Sequence, residues 1–116
     1  MSVEVKRVYE PADAADGYRV LIDRLWPRGV SKERAHLDEW DRELAPSTEL
    51  REWFGHDPAR FEEFSRRYEA ELGAQGPKLD ELRARARAGP LTLVYAARDT
   101  EHNDAVVLAG LLSKPA

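Results

Sequence analysis

The sequence predicts an α/β fold: a single compact domain spanning 1–116, with a small mixed sheet of about three to four strands and helices packed on it. Three observations point there. Two short apolar runs, Val20-Leu21-Ile22 and Leu93-Val94-Tyr95, are too short for helices and have the look of strands covered on both faces. Between them Phe61, Phe64, Tyr68 and Leu72 recur at spacings of three and four, the stripe of an amphipathic helix. Asp57-Pro58 and Gly89-Pro90 punctuate the chain where helices should start and stop.

Taken in order, residues 3–9 alternate as a first strand, and residues 10–17 form a loop opened by Pro11. Eight residues are too few for a crossover helix, so the first two strands are expected to pair antiparallel or nearly so. The second strand begins at Tyr18 and is expected to stop at Trp26, because Pro27 lacks a ladder donor and Gly29 accepts positive φ. Ser31 can cap a short helical turn through Ala35. Leu37, Trp40, Asp41 and Leu44 have helical spacing, which predicts a short helix over 37–44 that ends before Pro46.

Ser47 or Thr48 should cap a helix carrying Leu50, Trp53 and Phe54, stopped by Gly55. With Asp57 as cap and Pro58 in the first turn, the next helix runs to Leu72 and ends at Gly73. Pro77 begins another, with Leu79 and Leu82 inward. The strand at 91–96 and a strongly apolar helix over 100–113 complete the chain, and neither internal repeats nor low-complexity segments occur.

Composition excludes several function classes. With no cysteines, disulfides, thiolate metal sites and cysteine nucleophiles are all ruled out. No apolar run approaches the roughly 20 residues of a membrane helix, and the N-terminus has no signal-peptide core, so the expected location is cytoplasmic. A net charge of -4 opposes nucleic acid as a partner. The arginines at 83, 85 and 87 alternate around a helix and are read as a solvated face.

The candidate site lies where both strands run into charge. Asp23 falls at the edge of the core and needs a partner, with Arg24 and Arg28 nearest in sequence and Arg98 available from the other strand. If the strands run parallel, Arg28 and Arg98 face one crevice at their carboxyl ends, and the free amides near 100–103, including that of Asn103, add partial positive charge. Two guanidinium forks beside a helix start suit a phosphate or carboxylate, so a small anionic ligand is the expected partner. Asp99 has a simpler reading as the helix cap. His102 and His56 are the candidate acid–base residues, although a histidine between two helices, as His56 is, is more often a hydrogen-bonded structural residue. No two histidines have ligand spacing on one helix, so no metal site is expected, while the sequence leaves any cofactor unknown. The tryptophans at 26, 40 and 53 with Phe54 and Phe61 could stack bases, but their positions favour core packing.

Three segments carry a family likeness: YRVLIDRLWPRG with the following VSKE, APSTELREWFGHDPARFEEFSRRY, and LVYAARDTEHNDAVVL. In order and spacing they resemble the YeaO-like group of the domain-of-unknown-function family 488 (DUF488) over nearly the whole chain. The resemblance implies a small cytosolic α/β protein without an established activity. Other branches look as if they carry a cysteine and histidine after the last strand, where this chain has Ala97, Arg98 and His102. Thiol chemistry therefore does not transfer. Two functions remain: a binder of a small anionic, phosphorylated or nucleotide-like molecule, with Asp23 orienting an arginine, or a noncatalytic protein-interaction module whose charged cluster is structural.

Overall fold

In the computed structural model, which describes residues 3–114, four strands form one parallel sheet. The strands are β1 (Val3–Arg7), β2 (Tyr18–Leu21), β3 (Glu39–Trp40) and β4 (Leu91–Tyr95), in the order β1-β4-β2-β3. The helices are α1 (Lys32–Ala35), α2 (Thr48–Phe54), α3 (Phe61–Leu72), α4 (Gly76–Ala88) and α5 (Asp104–Ser113). Central β4 is buried at every position, as its unbroken apolar run requires.

One face of the sheet is covered by helices. Val20, Ile22, Leu91, Leu93 and Tyr95 pack there with Phe54, Phe64, Tyr68 and Leu72 from α2 and α3, Leu79 and Leu82 from α4, and Leu108 and Leu112 from α5. The opposite face holds a smaller cluster of Val8, Leu21, Val30, Ala35 and Val94. Because side chains alternate along a strand, Leu21 and Val94 serve this second layer while Val20 and Leu93 serve the first.

The expected antiparallel pairing of the first two strands is overturned. β1 and β2 both pair with β4, and both run parallel to it, so the sheet is parallel rather than mixed. The eight-residue loop is indeed too short for an α-helix, but an extended segment with one 3-10 turn, Ala14–Asp16, crosses the second face and leaves room for β4 in between. It lands tightly: at Gly17 (φ 65°), a Cβ would lie 2.3 Å from the Pro90 carbonyl oxygen, so only glycine fits.

The predicted helix over 37–44 is also corrected. Glu39 and Trp40 form an edge strand on β2, and a 3-10 turn, Arg42–Leu44, follows. Despite their helical spacing, which would put them on one helix face, Trp40 and Leu44 pack on opposite faces of the sheet. β2 ends at Leu21, not Trp26; Ile22 keeps one ladder bond to the Val94 carbonyl, after which the chain turns away. The short turn capped by Ser31 and the helices stopped at Gly55 and Gly89 stand as expected. No helix among the described residues is long and apolar enough to cross a membrane.

Candidate functional site

Because β2 and β4 are parallel, their carboxyl ends share one edge of the sheet, where open α/β folds leave a crevice. A cavity of about 670 Å³ opens there. The loop after β2 contributes Asp23, Arg24 and Arg28; the end of β4 contributes Arg98 and Asp99; α2 and the turn after it add Arg51 and His56; and Asn103 and Asp104 start α5. Its apolar wall includes Trp26, Phe54 and Phe64, the two phenyl rings stacked at 4.3 Å.

The loop backbone is fixed from several sides. Trp40 Nε1 donates to the Asp23 carbonyl (2.7 Å), Trp26 Nε1 to that of Val30 (2.7 Å) and the Tyr9 hydroxyl to that of Arg28 (3.0 Å). On the facing strand, Arg7 Nε donates to the Ala97 carbonyl at 2.8 Å. Such fixed backbone lowers the ordering cost of binding. The cationic side chains are left open: among the described residues Arg28 and Arg98 make no ion pair and are exposed, and Arg24 Nε has no hydrogen-bond partner although its Nη2 donates to the Pro46 carbonyl at 3.3 Å.

Asp23 departs from expectation. It does not pair with an arginine: its Oδ2 accepts the Ala96 N–H at 2.9 Å, and its carboxyl contacts that of Asp104. Burial, and then the Asp23 charge, pushes Asp104 well above the usual carboxylate range. Burial also raises Asp23, against the lowering effect of Asp104, the Ala96 amide and the Arg51 and His56 side chains. Two neighbouring carboxylates repel each other, which favours the protonated form of one of them. Asp104, the more strongly raised of the two, stands beside Asp23 where the sequence suggested an arginine.

Asp104 was missed because the apolar helix was placed from residue 100. Its start is Asn103, whose side chain accepts the Val106 N–H at 2.9 Å, so Asn103 rather than Asp99 is the cap. Asp99 Oδ1 instead accepts the Glu101 and His102 amides in a preceding turn. The available signal was Asn-Asp directly before Ala-Val-Val-Leu, a good cap followed by a first-turn acid.

His102 lies outside the cavity lining. Its Nδ1 is 2.9 Å from Asp99 Oδ2 and its ring stands edge-on to Phe61 at 5.1 Å. His56 lines the cavity in a left-handed conformation (φ 57°), directly after Gly55 (φ 53°). No group of three or more histidine, aspartate or glutamate side chains suited to a metal ion occurs among the described residues.

Fold and site together define a parallel α/β protein with a cation-rimmed cavity and a carboxyl pair at the strand ends. The chain belongs to the DUF488 family: the family model described as the inactive DUF488-N3 subclade matches residues 2–116. It is similar to the uncharacterized protein YeaO of Escherichia coli strain K12, 47% identical over 112 residues that cover 97% of each chain. The uncharacterized proteins Mb3100c of Mycobacterium bovis and Rv3073c of Mycobacterium tuberculosis are each 46% identical over 111 residues, covering 96% of this chain and 93% of theirs. No solved structure matches it.

Proposed function

We propose that this protein binds a small organic anion in the cavity at the strand carboxyl ends and does not transform it. Arg28 and Arg98 hold the anionic group, with Arg24 and Arg51 adding positive charge around it. The observation that carries the reading is that Arg28 and Arg98 come from different strand ends, line one cavity, and make no ion pair among the described residues. Guanidinium groups so presented suit bidentate recognition of phosphate or carboxylate. The size also fits: about 670 Å³ lies in the range of pockets for drug-sized molecules and far exceeds the needs of inorganic phosphate alone.

Binding is favoured over turnover on two grounds. The chain has no cysteine, and its family model is described as an inactive subclade. The interaction-module alternative calls for a contiguous apolar surface patch. Leu25 (63% exposed) is the exposed large hydrophobic among the described residues, and it rims this same cavity. The test is the ligand-induced melting shift with ribose 5-phosphate and nucleoside monophosphates. Arg28→Ala and Arg98→Ala should lose the shift and keep the unliganded melting temperature. A large fall in the unliganded melting temperature would instead make the arginines structural.

A further inference from the structure

The cavity has a second chemical end. Besides its arginines, Asp23 and Asp104 line the same cavity. We propose that the ligand carries, on a flat ring away from its anionic group, an amino N–H donor that these two carboxyls accept. This rests on the anion-binding reading of the same cavity and adds what the rest of the ligand must be.

The inference follows from counting donors and acceptors. Asp23 Oδ2 takes the Ala96 N–H and Asp104 Oδ1 takes the Ala105 N–H, each at 2.9 Å. The two carboxyls interact with each other, and burial raises both. What the pair still offers to the cavity is lone pairs and a negative charge. An acceptor-only surface of this kind is complementary to N–H donors and repels a carbonyl or a second anionic group. Among the described residues no lysine or arginine forms an ion pair with either carboxyl, so the donor is not supplied from within the protein.

The cavity also has apolar aromatic lining. Phe54 and Phe64, stacked at 4.3 Å, and Trp26 line it, which suits an aromatic ring. A half-buried carboxyl pair is also a poor choice for stability, since well-packed hydrophobic residues would do as well or better. Its place in a cavity wall is where such a local conflict marks a binding site.

Calorimetric titration with two matched pairs tests the proposal: cytidine against uridine 5′-monophosphate, and adenosine against purine riboside 5′-monophosphate, with ribose 5-phosphate as the ring-free reference. The amino-bearing member of at least one pair should bind about tenfold to a hundredfold tighter than its partner. In Asp104→Leu that preference should vanish. Should this variant misfold, Asp23→Leu serves the same purpose, with circular dichroism confirming a folded chain. No preference in either pair, or a preference that survives loss of the carboxyl, would overturn the proposal. The anion-binding reading fails separately, if Arg98→Ala binds ribose 5-phosphate as tightly as the parent or if no phosphate binds at all.

Discussion

Two charged regions flank the same sheet and handle their arginines in opposite ways. Under the crossover on the second face, Arg19 is 1% exposed and every arm is occupied: Nε donates to the His36 carbonyl (3.1 Å), Nη2 to that of Ala35 (2.9 Å), and Nη1 meets Asp16 Oδ2 at 2.5 Å. Asp16 also accepts Lys6, and although burial opposes it, the Asp13 amide, Lys6 and Arg19 hold it below the usual carboxylate range. At the cavity, Arg28 and Arg98 have no carboxylate partner among the described residues, and the nearby acids contact each other instead. The first region closes the ends of α1 and the crossover with charge. The second leaves charge available. Charged residues near a strand end are therefore not a site in themselves; unspent hydrogen-bonding capacity is the distinguishing mark.

The contrast can be broken by mutation, and the largest effect should fall on the closed region. Arg19→Ala leaves two helix-end carbonyls without their donor and takes from Asp16 its buried partner, leaving it Lys6 and the Asp13 amide, so stability in urea should fall by about 3 kcal/mol. A loss under about 1 kcal/mol would mean that the network is dispensable.

The next effect concerns a third cluster, at the β3 edge. Burial and then the Glu39 charge push Asp41 up to about 7. Burial opposes the lowering of Glu39, but Asp41, Lys78 and Tyr18 hold it down at about 2. A raised carboxyl stabilises the fold below its unfolded value and loses that contribution as pH rises through its folded value. The Asp41 contribution should therefore decline from about pH 4 to about pH 7, while that of Glu39 is lost only in acid below about pH 4. Asp41→Asn should remove the first decline and be more stable than the parent at pH 8 by on the order of 1 kcal/mol. Thermal unfolding across that range checks it. Asp104→Asn should act in the same direction, since an asparagine removes a carboxyl whose ionisation burial and the Asp23 charge disfavour.

A smaller effect is expected at His56, whose left-handed backbone favours glycine. His56→Gly should raise stability by about 0.5–1 kcal/mol while weakening the phosphate-induced melting shift. Smallest of all, Arg28→Ala and Arg98→Ala should alter unliganded stability by less than about 0.5 kcal/mol, as for open surface positions.

Much of this contrast was present in the sequence. The runs at 20–22 and 93–95, the Phe61 to Leu72 stripe and the Asp57-Pro58 signal identified strands and helices because each spans enough residues to show its period. Asp23, Arg24, Arg28, Arg98, Asp99 and Asn103 could be assigned to one edge once β2 and β4 were supposed parallel, and all of them line the cavity, joined there by His56 from the turn after α2. Other features could not be read. A two-residue strand such as Glu39–Trp40 has no period, and it exists only because Val20 and Leu21 offer it an edge. The partner of Asp23 depends on where α5 begins, and a shift of four residues hides Asp104 inside the helix. Arg19 sits in a strand of apolar neighbours and gives no hint that Ala35 and His36 will meet it.

The order of the strands has a further consequence for how the molecule assembles. β1 and β2 never touch; each waits for residues 91–95 to arrive between them. Nearly ninety residues separate Val3 from its partner Leu91, so the closing contact carries a large loop entropy, and local helices should form well before the sheet exists. On a ribosome, the first strand emerges with nothing to pair against until the last quarter of the chain has been made.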